Sequence, residues 1–246
     1  MSGPQARRPF RRVGHKGAAD LVTGNTIASF REAAEIGVEM VELDVIWRRN
    51  GSPDLPATER TPLVVAHDWH DAAARPELTL GDALDAFTEP PLDGVEIDCD
   101  LKVIGREEDL VEALRERDLI ERAMVSTMYT ESLAAIGAIE PRLRLGWTYP
   151  LVGRAWDRSV LARPAVLVAL ALMRARLPDL ARRRVPELGA AAIWLYHPLA
   201  SARLVAATRE LGIELICWTV DEPARVSALR ELGVDGICSN DPRLLQ

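Results

Sequence analysis

The feature that most constrains this chain is a steady alternation of short apolar runs with longer amphipathic ones, kept up along its 246 residues. Runs with strand character occur at Arg12–Gly14, Met40–Trp47, Leu63–Ala66, Gly94–Leu101, Ala123–Ser126, Leu143–Thr148, Ala192–Leu195, Glu214–Thr219 and Gly236–Cys238. Between most of them lie the helical stretches Ile27–Ile36, Glu107–Arg117, Thr130–Ile139, Ala202–Leu211 and Pro223–Leu232. Their apolar positions recur three and four residues apart, as at Leu110, Val111 and Leu114. Asn25 or Thr26 is placed to cap the first helix, and Gly37, Gly212 and Gly233 fall just past helix ends. Strands that alternate with helices build a parallel sheet, open or closed.

Nine strands is one too many for a (β/α)8 barrel. The excess resolves if Leu63–Ala66 folds back as a hairpin partner of Met40–Trp47, across a loop holding Asn50-Gly51 and several prolines. The expected fold is therefore α/β, a (β/α)8 TIM barrel. It forms one domain over residues 1–246, close to the roughly 250 residues typical of that barrel. The first eleven residues, with their arginine cluster, read as a frayed tail. Pro150–Gly189 is long for one connection and is expected to hold two helices. No GxGxxG or phosphate-loop motif is present, which weakens the doubly wound nucleotide-binding alternative.

A hydrophobic content of 48% supports a large core, and a formal charge of −7 gives no broad surface for nucleic acid or anionic membrane, though a local basic pocket is compatible with it. The most apolar stretch, Ala165–Met173, is far shorter than the ~20 residues of a membrane span. Cys99, Cys217 and Cys238 form no CxxC, so neither a disulfide framework nor a zinc site is expected, and the compartment reads as cytoplasm. Of 30 basic residues only Lys16 and Lys102 are lysines. In a chain that uses arginine wherever a surface cation will do, each invites a specific role.

Polar residues gather where the strands end, which in a (β/α)8 barrel is the catalytic face. His15 follows the first strand, and His67 and Asp68 close the hairpin strand. Glu42 and Asp44 lie two apart inside Met-Val-Glu-Leu-Asp-Val-Ile, so both point to one face, and Trp218 ends a later strand. Glu96, Asp98, Asp100 and Lys102 alternate along one strand. Four charges on the inner face of a barrel need compensation, and a divalent cation supplies it. Among the three acids Asp100 ranks first because it lies nearest the strand's C-terminal end, paired with Lys102. His70 and His197 read as ordinary surface or core residues.

Taken in order, Gly14-His15-Lys16-Gly17, Asn25-Thr26-Ile27-Ala28-Ser29-Phe30, Val41-Glu42-Leu43-Asp44-Val45 and Val64-Val65-Ala66-His67-Asp68 resemble the motifs of glycerophosphodiester phosphodiesterases. Asp100-Leu101-Lys102, Cys217-Trp218-Thr219-Val220-Asp221 and Gly233-Val234-Asp235-Gly236-Ile237 continue the series. The resemblance implies a metal site of Glu42, Asp44 and Asp100 for one divalent cation, Mg²⁺ or Ca²⁺ with Mn²⁺ as an alternative; oxygen ligands suit such hard ions. It implies His15 and His67 as a general acid/base pair, and Lys16, Lys102 and Trp218 as phosphate and substrate contacts.

The departures from the family pattern bear on substrate. Lys16 stands where Arg is usual, Gly24 where a Glu precedes Asn-Thr, and Asp100 where Glu is more common. Trp-Thr-Val-Asn becomes Trp-Thr-Val-Asp221, and Thr-Asp-x-Pro becomes Ser239-Asn240-Asp241-Pro242. The insertion that normally follows the second His-Asp is nearly gone. The expectation is metal-dependent hydrolysis of a small-molecule phosphodiester, a glycerophosphodiester giving an alcohol and glycerol phosphate, with no nucleic-acid partner. Two rivals are phospholipase D-like action on lysophospholipids and a non-catalytic barrel that binds phosphorylated ligands.

Overall fold

The structure is a computed structural model and describes residues 9–48, 54, 56, 59–151 and 163–246. In chain order the elements are β1 (Arg11–His15), α1 (Ile27–Ile36), β2 (Met40–Trp47), β3 (Leu63–Val65), α2 (Trp69–Ala74), α3 (Leu80–Ala86), β4 (Glu96–Leu101), α4 (Glu107–Arg115), β5 (Ala123–Thr127), α5 (Thr130–Ile139), β6 (Arg144–Tyr149), α6 (Arg163–Leu188), β7 (Ala192–Tyr196), α7 (Ala202–Leu211), β8 (Glu214–Trp218), α8 (Pro223–Leu232) and β9 (Gly236–Ser239). Eight strands pair in parallel, and β1 bonds to both β2 and β9, which closes the sheet into a (β/α)8 barrel. Thr26 caps α1, accepting from the Ser29 amide at 3.2 Å.

β3 is the expected hairpin partner. It runs antiparallel to β2, with Val65 opposite Val45 and Leu63 opposite Trp47. This register positions the site. β1 climbs along β2 and ends with His15 opposite Glu42, while β3 descends along the upper half of β2. The Ala66 amide then bonds to the Asp44 carbonyl at 3.1 Å, so His67 follows at nearly the level His15 has reached from below.

Two expectations need correction. The tail ends before residue 11: Arg11 is the first residue of β1, and its guanidinium bonds Glu96 at 2.6 Å and Glu214 at 3.0 Å across the lower end of the barrel. Residues 1–8 lie outside the described residues. Of the two helices expected in Pro150–Gly189, the described residues hold one, longer than either was expected to be; the rest of the expectation falls on residues 152–162, which lie outside the described residues. α6 runs for 26 residues through Pro178 and Pro186. Each proline forfeits one backbone hydrogen bond, but Leu177, Ala181, Val185 and Leu188 form a buried stripe that keeps the helix on the barrel wall.

Candidate active site

At the C-terminal mouth of the barrel the chain builds a cavity of about 530 Å³ whose wall includes His15, Glu42, His67, Asp100, Lys102 and Trp218. Asp44 and Lys16 adjoin it, so all eight residues singled out in the sequence meet in one place. Glu42, Asp44 and Asp100 come from neighbouring strands, Glu42 and Asp44 on β2 and Asp100 opposite Asp44 on β4. All three are buried, and each offers an oxygen within 4.8 Å of the others. Asp100 Oδ1 is buried and accepts no hydrogen bond among the described residues. Burial, and then the Asp44 charge, push the Glu42 carboxyl well above the usual carboxylate range. An all-oxygen, like-charged set of this kind fits a hard divalent cation.

Two ammonium groups oppose this acidity. Lys102 Nζ lies 2.8 Å from Asp44 Oδ1 and also pairs with Asp100; Lys16 Nζ lies 3.8 Å from Asp44 Oδ2. Burial disfavours a charge at Asp44, yet Lys102 and Lys16 outweigh it and hold that carboxyl below the usual range. Burial likewise works against the Lys102 ammonium, but Asp100, Asp44 and Glu42 together raise its pKa well above normal. The Lys16 turn needs its flanking glycines. Lys16 sits at φ +53° and Gly17 at φ +84°, and a Cβ on Gly14 would lie 2.5 Å from the Gly17 carbonyl oxygen. The turn aims the Lys16 amide at Glu42 Oε2, 2.8 Å away.

The four alternating charges of β4 do not all need a cation. Glu96 lies at the opposite end of the strand, where Arg11 and Arg144 compensate it. Asp98 sits one layer below Asp100, accepts from Ser126 Oγ at 2.7 Å, and is pushed well above its usual range by burial and then by Asp100. Only Asp100 and Lys102 reach the mouth cavity.

The tautomer of His15 can be read from its neighbours. Asn240 donates its amide to Asp221 Oδ2 at 2.7 Å, so its carbonyl oxygen must face His15 Nδ1, 2.6 Å away. Nδ1 therefore carries the proton, and the lone pair of Nε2 faces the cavity side, 3.9 Å from Glu42. Burial, and then the Lys16 charge, lower the His15 pKa to about 4, which keeps the ring neutral near pH 7. His67 lines the same cavity with an exposed side chain, its Nδ1 3.5 Å from Asp68 Oδ2. His70 is exposed on α2, and His197 Nδ1 accepts from Arg225 outside the cavity wall. Trp218 packs against Tyr196 at 5.7 Å; its indole N–H and the Thr148 hydroxyl, both on the wall, have no partner among the described residues.

Sequence reasoning missed several supports. Asn25, a cap candidate and the first residue of a family motif but given no role in the site, is buried at φ +56° and grips Asp44 twice, donating to its carboxylate at 2.8 Å and accepting from its amide at 3.1 Å. Thr148 had no motif to mark it. Asp221 and Asn240 were noted as two separate departures, an Asp for Asn and an Asn for Asp. Here they touch, so the exchange keeps one carboxylate and one amide in the pair that orients His15. Asn240→Asp alone would set two carboxylates 2.7 Å apart and is expected to lower kcat on the order of tenfold. Adding Asp221→Asn should recover most of the loss in a double-mutant cycle. A double variant as slow as the single would show that the pair does not act as a unit.

The comparisons agree with this geometry. The profile of the Glycerophosphoryl diester phosphodiesterase family matches residues 15–53 and 93–244. A glycerophosphodiester phosphodiesterase of Caldanaerobacter subterraneus subsp. tengcongensis is 25% identical over 255 residues, covering 95% of each chain. Among solved structures, a glycerophosphodiester phosphodiesterase from Parabacteroides distasonis superposes with a TM-score of 0.70 at 17% identity, covering 96% of this chain and 94% of that one. A phosphodiesterase from Oleispira antarctica, in complex with the product sn-glycerol-3-phosphate, gives 0.68 at 18% identity over 94% and 93%. With its barrel, its mouth cavity and a profile match across most of its length, the chain belongs to the glycerophosphoryl diester phosphodiesterase family and is a phosphoric diester hydrolase.

Proposed function

We propose that this cavity hydrolyses a glycerophosphodiester to an alcohol and glycerol phosphate in a reaction that requires one divalent cation held by Glu42, Asp44 and Asp100. The observation that carries this reading is the placing of two histidines in one cavity with three buried carboxylates that converge within 4.8 Å. A cation bound there supplies Lewis-acid stabilisation of the charge that grows on the phosphoryl oxygens. His15, neutral and with Nε2 open, takes the proton of the attacking oxygen as its bond to phosphorus forms. His67, in the same cavity, gives a proton to the departing alkoxide as its bond to phosphorus breaks. Lys102 and Lys16 hold the phosphate charge, and the unpaired Trp218 N–H and Thr148 hydroxyl offer hydrogen bonds to substrate hydroxyls.

The test is a panel of glycerophosphodiesters, lysophospholipids and nucleotide diesters, assayed for phosphomonoester release with and without divalent metal. Metal-dependent turnover of the glycerophosphodiesters supports the reading. A folded protein that binds glycerol phosphate but turns over none of them would favour the binding-barrel alternative.

The two lysines separate the site further. Lys102 is enclosed between Asp44 and Asp100, so the longer, planar Arg must displace them; Lys102→Arg is expected to cost on the order of 10²-fold in kcat. Lys16 stands on a turn with a partly exposed side chain, where a guanidinium has room to contact two phosphate oxygens; Lys16→Arg is expected to keep or raise activity. Kinetics on both variants, with melting curves as a folding check, decide this. A dead Lys16→Arg beside a healthy Lys102→Arg would mean the phosphate lies elsewhere.

A further inference from the structure

Arg75 ends the short helix α2, and its side chain is only 14% exposed. Its guanidinium bonds four acceptors on three separate segments. Nη1 donates to the carbonyls of Asn25 at 2.8 Å and Gly24 at 3.2 Å, in the loop before α1. Nη2 donates to the Val65 carbonyl, at the end of β3, and to Asp71 Oδ2 on α2, both at 2.9 Å. Burying a cation costs free energy that an exposed arginine avoids, and Nε finds no acceptor among the described residues. The residues this arginine joins give that burial a purpose.

On one side stands Asn25, which grips the carboxylate and the amide of Asp44 and donates its own amide to the Lys16 carbonyl at 3.0 Å. On the other stands His67. Asp71 Oδ2, the oxygen that Arg75 bonds, also accepts from the His67 amide at 2.9 Å. Val65 precedes His67 by two residues, and between them the Ala66 amide is tied to the Asp44 carbonyl. Apolar packing does little to fix the turn that carries His67, since α2 has no fully buried residue. One planar cation therefore joins the loop behind Asp44 and Lys16 to the turn bearing His67, and its rigid fork holds the two at a set separation.

We infer that Arg75 is a positioning residue, which sets His67 at the distance from the Asp44 side of the cavity that lets its proton reach the leaving oxygen. This role rests on the proposed function of His67 as proton donor, and it is read from the leaving group. An alkoxide needs that proton to depart, whereas p-nitrophenolate leaves without it. Arg75→Lys keeps the charge, but one ammonium cannot span all three segments. On glycerophosphoethanolamine it is expected to lower kcat about tenfold with little change in KM. On the p-nitrophenyl ester of glycerol phosphate the fall should stay within about threefold. Asp71→Ala removes the acceptor shared with His67 and leaves the bonds to Asn25 and Val65. It should show the same dependence on leaving group, and it carries the test even where the lysine variant does not fold. His67→Ala should show that dependence most strongly. Equal losses on both esters in the Arg75 and Asp71 variants, or none on either, would make Arg75 a structural staple and overturn the role. If His67→Ala itself falls equally on both esters, or the wild type hydrolyses neither, the failure lies in the proposed function and takes this role with it.

Discussion

Chelation of divalent metal is expected to abolish hydrolysis, and Mg²⁺, Ca²⁺ or Mn²⁺ to restore it. Glu42, Asp44 and Asp100 are buried within 4.8 Å of one another, and no arrangement of Lys102 and Lys16 alone places a doubly charged centre beside a phosphoryl oxygen. Loss of that centre removes several kcal/mol of transition-state stabilisation, a fall on the order of 10³ in rate. Asp44→Asn is expected to do the same without unfolding the barrel. A readout independent of turnover accompanies it: metal at about 100 times its Kd should stabilise the wild type by about 2.7 kcal/mol, and the variant by much less. Full activity in excess chelator, after tightly bound metal has been removed, would sink the mechanism.

The second large effect belongs to the histidines. His15→Ala and His67→Ala are each expected to lower kcat by about 10²–10⁴-fold, the usual worth of a positioned acid or base. His70→Ala and His197→Ala should change it little, since one is exposed on α2 and the other is engaged by Arg225. Equal losses at all four positions would indicate general destabilisation and end the assignment. If His15 works only as oriented by Asn240, its removal should also erase the effect of Asn240→Asp.

The barrel was legible because its strands and helices obey different periods along the whole chain. The ends of β2, α1, α5, α7 and α8 were read to the residue, and even the surplus strand found its hairpin partner, because β2 had only one neighbouring apolar run within loop reach. What escaped was long-range. Nothing in the arginine cluster near the start marks Arg11 as the cation that Glu96 and Glu214 share at the far end of the barrel. Two prolines argue against one helix at Arg163–Leu188, and only its buried stripe, formed in three dimensions, holds it together. In the site, residues of distinctive chemistry were found and their supports were not. A carboxylate on a buried strand announces itself, whereas Asn25 resembles an ordinary cap and Thr148 an ordinary strand residue. Asp221 and Asn240 looked like independent losses until their contact showed one exchange.

The position of the cation is the most direct test of this chemistry. Crystals grown with Mn²⁺ and glycerol phosphate, with data collected for the anomalous signal of manganese, are expected to show one peak about 2.1–2.2 Å from oxygens of Glu42, Asp44 and Asp100. The phosphate should reach that ion, with Lys102 beside it and His15 and His67 on opposite sides. A peak elsewhere, or a phosphate bound in the mouth with no peak among these three carboxylates, would contradict it.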